Sequence, residues 1–150
     1  MKKLILCLSL VLPNIAMSCP TLTGTWTSSS EKFESFNKKW ANVNGNAWAF
    51  MTQTQGKEVI TFNNEQEMRI NTPDIEIKMG EKTMTMPAKE ERINYSILGC
   101  TDSSIVLQFD RYGKTQISQL HFENETTYWE YMGNSQNDGN SHIREYYTKR

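Results

Sequence analysis

From residue 59 onward, apolar and polar side chains alternate with a period of two. Ile75, Ile77 and Met79 alternate with Glu76 and Lys78, while Ile93, Tyr95 and Ile97 alternate with Asn94 and Ser96. Alternation of this kind puts successive side chains on opposite faces of a strand. The same character recurs over 59–62, 67–71, 75–79, 82–86, 92–98, 104–109, 116–122, 126–132 and 143–148, with turn residues such as Thr72-Pro73-Asp74, Gly80 and Gly99 between them. Upstream, Leu22 to Ser28 reads as a first strand. Between it and the rest the period changes, because Phe33, Phe36 and Trp40 recur at i, i+3 and i+7 behind Ser30 as an N-cap, with Glu31 and Glu34 in or near the first turn. That spacing predicts one amphipathic helix of about three turns. Asn42-Val43-Asn44-Gly45-Asn46 closes it, since Asn and Gly tolerate left-handed backbone.

Nine or ten closely spaced strands leave no room for crossover helices, so the pattern predicts an all-β antiparallel fold, a sandwich or an up-and-down barrel. The polar stretch 133–141 is followed by only one strand, which makes it a hairpin loop and leaves the chain a single domain.

The N-terminus sets the compartment. Met1-Lys2-Lys3 leads into the apolar run Leu4 to Val11, and Ala16-Met17-Ser18 supplies small residues where a signal peptidase requires them. Residues 1–18 therefore read as a secretory signal peptide and 19–150 as the mature domain, periplasmic or secreted. No stretch is apolar enough to span a membrane. Cleavage removes Cys7 and leaves Cys19 and Cys100, natural disulfide partners in an oxidising space, closing a loop of about 80 residues at a gain of about 2–4 kcal/mol. The rival is a lipid anchor on Cys19, although Ala16-Met17-Ser18-Cys19 departs from a lipobox at two of its three positions. The whole chain carries 16 basic and 17 acidic side chains, and loss of Lys2 and Lys3 brings the net charge to −3. Such a balance excludes a nucleic-acid binder, and 37% hydrophobic with 11% aromatic residues excludes a disordered tail.

Leu22-Thr23-Gly24-Thr25-Trp26 resembles the opening strand of the calycins, the barrel superfamily of lipocalins and intracellular fatty-acid-binding proteins. There a Gly-x-Trp closes one barrel end. The order of a first strand, Ser28-Ser29 and a helix containing Phe33 is similar to the strand-to-lid passage of fatty-acid-binding proteins. Ile143-Arg144-Glu145-Tyr146-Tyr147 is similar to their last strand, whose Arg-x-Tyr pair holds a ligand carboxylate. The resemblance covers the two ends and the strand count, about a third of the chain. It implies a calycin-like up-and-down barrel with one short helix after the first strand. Two departures go with it: export is foreign to fatty-acid-binding proteins, and the long helix after the lipocalin barrel is missing.

The resemblance nominates Arg144 and Tyr146 as ligand-binding residues, provided that their strand face lines the interior; on the opposite reading Tyr147 packs inward and Arg144 faces out. Trp129, in a cluster with Tyr128 and Tyr131, is the third ligand-binding candidate, either as wall or as rim. Met84 and Met86 share one strand face and read as core or cavity lining, with soft ligation of Cu(I) as the alternative. His121 and His142 lack zinc spacing. With no nucleophile elbow, zinc helix or phosphate loop, catalysis has no constellation to rest on. Glu90-Glu91 and Glu123 with Glu125 read as solvated strand ends. The sequence thus predicts an exported, non-enzymatic, lipocalin-like binding protein with no cofactor and no metal, its ligand small, apolar and carboxylate-bearing. The alternative is a closed barrel, filled by its own side chains, that binds a periplasmic protein.

Overall fold

A computed structural model describes residues 18–41, 43–64, 66–132 and 142–150. Almost all of the expected signal peptide, and the expected loop over 133–141, lie outside these residues. The element order is β1 (Gly24–Ser28), α1 (Ser30–Trp40), α2 (Gly45–Thr54), β2 (Val59–Phe62), β3 (Glu67–Thr72), β4 (Ile75–Met79), β5 (Lys82–Met86), β6 (Lys89–Cys100), β7 (Ser104–Arg111), β8 (Lys114–Asn124), β9 (Thr127–Tyr131) and β10 (Arg144–Lys149). Eight strands close into an antiparallel barrel in the order β1-β10-β9-β8-β7-β6-β3-β2, and β4 with β5 forms a separate two-stranded sheet. Sequence neighbours pair around the ring, as in an up-and-down barrel. The one excursion is the β4–β5 hairpin, placed between β3 and β6.

The period of two sorts side chains cleanly, with Trp26, Ile60, Phe62, Met68, Ile105 and Leu107 among the buried core. Residues paired across an antiparallel ladder share a face, so Glu145 goes with Glu130, Tyr147 with Tyr128, and Arg144 with Tyr131. One barrel end is a floor. There the Trp26 indole is fully buried, donates to the Leu22 carbonyl at 2.7 Å and meets the Tyr128 ring edge-on at 4.9 Å. Gly24 holds a φ of +131°, and the space where a Cβ would sit is taken by the stem of Lys149, whose ammonium lies 5.2 Å over the Trp26 ring. Cys19 and Cys100 form a disulfide near this floor with Cα atoms 5.5 Å apart. A sulfur bonded to Cys100 has no valence left for a lipid, so the disulfide displaces the lipidated reading of Cys19.

The other end carries the helices. Ser29, one residue before the expected position, caps α1 by accepting from the Lys32 N–H. A second helix, α2, follows where a turn was expected to lead directly into strands: Asn44 caps it by accepting from the Ala47 N–H at 2.9 Å. The Asn-rich stretch ends one helix and starts the next, because Asn serves both purposes. Along α1, Phe33 is fully buried and stacks on Trp48 of α2 at 5.8 Å, whereas Trp40 is 57% exposed. Each helix is fastened to a strand by a side-chain amide. Asn37 of α1 donates to the Arg144 carbonyl at 2.8 Å and accepts from the Arg144 N–H at 2.9 Å. Gln53 of α2 treats Lys78 of β4 in the same way, at 3.0 and 2.8 Å.

Asn37 is completely buried, and its removal leaves both polar groups of the Arg144 backbone without their partner. Asn37→Ala is therefore expected to lower unfolding stability by about 2–3 kcal/mol, read as a reduced urea midpoint at unchanged slope.

Candidate functional site

The barrel interior holds a cavity of about 140 Å³. Its depth is apolar, lined by residues such as Ile60, Met68, Leu107 and Leu120, and its lid end is polar, with Glu58, Glu130, Glu145, Arg111, Ser118 and Tyr147. Glu58, Arg111 and Glu145 also line a hollow of about 460 Å³ between the end of α2, the β4–β5 hairpin and the barrel rim. Glu58, Arg111 and Glu145 thus stand between the barrel interior and this outer hollow.

Three of these groups are carboxylates without a cationic partner among the described residues. Arg111, the cation in the interior, forms a short ion pair with Glu91, and Glu91 also receives Lys89 at 3.1 Å. That engagement holds the Glu91 carboxyl below its usual range, through the Arg111 hydrogen bond first. Glu58 accepts from the Tyr147 hydroxyl at 2.8 Å, and Glu130 from the Ser118 hydroxyl. Burial pushes the Glu130 carboxyl up, against the Ser118 hydrogen bond and reinforced by Glu58. For Glu145, burial and then the charges of Glu58 and Glu130 push the carboxyl up to about 8, although Tyr147 and Gln55 lie within hydrogen-bonding reach. The Tyr147 hydroxyl has one proton, and Glu58 takes it. A neutral Glu145 keeps a proton of its own to donate.

Several buried polar atoms remain unpartnered here: Tyr128 Oη, Gln55 Oε1 and Arg111 Nε. Tyr128 and Tyr147 stack at 4.9 Å and are both essentially buried. Burial raises both phenols well above their ordinary range, so they stay neutral donors.

The sequence-predicted ligand residues occupy the opposite face of the wall. Arg144 pairs with Tyr131 and sits outside, its guanidinium 3.7 Å from the Trp129 ring and 4.0 Å from Phe36 of α1. Tyr146 turns the same way, towards Phe36 at 6.1 Å. Trp129 stacks on His121 at 4.0 Å, and burial followed by the Arg144 charge pushes that imidazole below its ordinary value. Arg144, Tyr146 and Trp129 are thus brought together, but beneath α1 on the outer wall: of the two orientations that the sequence left open for β10, the structure has the one with Tyr147 inside and Arg144 outside. The cause is the ladder: β10 pairs with β1 and β9 in the register that turns Glu145 and Tyr147 inward. Glu91, expected at a solvated strand end, also turns inward. Met84 is 51% exposed, which removes it from the core, whereas Met86 lines the outer hollow. Among the described residues, no group of three His, Cys, Asp or Glu side chains is placed to hold a metal ion.

Sequence reasoning missed Glu58, Glu130 and Glu145 as a group because they come from three separate segments. Parity carried part of the signal: Glu145 and Tyr147 share a face, and so do Tyr128 and Glu130.

Closed eight-stranded antiparallel barrels with a helical cover after the first strand have a calycin-like architecture, and this chain has it. Compared with protein-family models, curated proteins and solved structures, it matches none.

The raised Glu145 carboxyl couples stability to pH. Between about 4.5 and about 8 the folded protein holds a proton that the unfolded chain releases, so stability falls as pH rises through that window. Glu145→Gln removes the charge at nearly constant shape. It is expected to change stability little at pH 5 and to raise it by about 2 kcal/mol at pH 9, measured by denaturant unfolding at the two pH values.

Proposed function

We propose that the protein is an exported, calycin-like carrier that holds a small, largely apolar molecule in its barrel and performs no chemistry on it. The observation that carries this reading is the cavity itself: apolar in its depth, polar at one end, sharing Glu58, Arg111 and Glu145 with a larger hollow beside the end of α2, and edged by buried polar atoms that lack partners. Binding sites are typically apolar clefts with a few polar groups that fix orientation. Export is supported by the signal-like N-terminus and the disulfide; no helix among the described residues is long and apolar enough to cross a membrane. A carboxylate on the ligand loses the support of Arg144, the cation nominated to receive it, which lies on the outer wall, while Arg111 is paired with Glu91.

A second reading, a barrel that binds another protein, draws support from the exposed Trp40 and Tyr131, which line a hollow of about 380 Å³ on the outer wall with Phe36, His142 and Arg144. Native mass spectrometry of mature protein purified from its own secretory compartment separates the two. An added small mass that disappears on denaturation is the expected result. A bare mass overturns the carrier reading in favour of the partner-binding one.

A further inference from the structure

The interior offers a ligand three carboxylates, from Glu58, Glu130 and Glu145, while its guanidinium is already engaged by Glu91. We propose that the ligand is a compact aromatic or aliphatic amine, bound as its ammonium ion at the lid end of the cavity with its apolar body directed to the floor. The inference rests on the carrier reading and specifies its ligand class.

Size and chemistry agree. A void of about 140 Å³ is of the scale that accepts one aromatic ring. Its polar end presents acceptors far in excess of free cations, and an ammonium group brings three donors. Tyr128 and Tyr147, stacked on each other, also line this cavity. The Tyr128 hydroxyl, fully buried and unpartnered, is a further polar group at the cavity wall. An anionic ligand would meet three carboxyl groups in the same space, which take on negative charge only against it. A metal ion is a poorer fit, since no three acidic or histidine side chains among the described residues are gathered to hold one.

Pairing with an ammonium also stabilises Glu145 as the carboxylate. Facing it are Glu58 ahead of β2, Glu130 and Tyr128 on β9, Tyr147 on β10, Gln55 after α2, and the Arg111–Glu91 pair on β7 and β6 with Lys89 behind it. Because Glu145 is protonated below about pH 8 in the empty barrel, amine binding releases a proton and affinity rises with pH up to that point.

Three probes of nearly equal shape test the idea by isothermal titration: 2-phenylethylamine, 2-phenylethanol and phenylacetate. The amine is expected to bind at least tenfold more tightly than the alcohol, with phenylacetate weakest, and to tighten between pH 6 and pH 8. In the double variant Glu130→Gln, Glu145→Gln, checked for folding by circular dichroism, the preference for amine over alcohol collapses towards one. Equal binding of amine and alcohol, or tighter binding of phenylacetate, overturns the ammonium inference and leaves the carrier reading standing. If none of the three binds, the ammonium inference fails, and the native mass decides the carrier reading by itself.

Discussion

Closing a sheet into a ring leaves each strand hydrogen-bonded on both sides, and a strand so held cannot slip by one residue without turning every side chain over. In this protein that constraint matters most at β10. Its ladders with β1 and β9 fix Glu145 and Tyr147 inside and Arg144 and Tyr146 outside. Asn37 then clasps the backbone of Arg144, the first residue of that strand, and so places α1 over the outer aromatic wall. The acidic interior, the cation–aromatic stack outside and the seat of the first helix all follow from one register.

The same register sets up an electrostatic imbalance. A carboxylate moved out of water and left unpaired is costly, and it relieves the cost by keeping its proton. Glu145 does so, and the donor it faces, Tyr147, is already committed to Glu58. Folding tolerates this because the core below is assembled from packed apolar groups, with Trp26 edge-on to Tyr128 and Phe62 edge-on to Tyr95. Apolar packing and buried acids thus share one ring of strands.

Most of the fold was legible in the sequence, and the reasons are local. Alternation of Ile75, Ile77 and Met79, or of Ile93 and Tyr95, reports a half-buried strand directly, and every expected strand is present within a few residues of its expected bounds. Helix α2 was not legible: Gly45–Thr54 has no buried residue and no sharp amphipathic stripe, and it is held by its caps, by Gln53 on Lys78 and by Trp48 stacked on Phe33. The detached β4–β5 sheet was also hidden, since strand pattern does not say which strands join a ring. For the site, the pattern of β10 offered two faces, each with a tyrosine. Resemblance favoured the face with arginine, and pairing chose the other. An acidic group assembled from Glu58, Glu130 and Glu145 is a property of closure, which no single segment expresses.

The disulfide joins Cys19 to Cys100 at the floor, whereas the helices at the other pole are held by Asn37 and Gln53 without a covalent bond. The molecule is covalently stapled at one pole and held only by side-chain amides at the other. Substitutions can therefore accumulate around the helical pole, one rim residue at a time, while the stapled pole keeps the scaffold intact through the change.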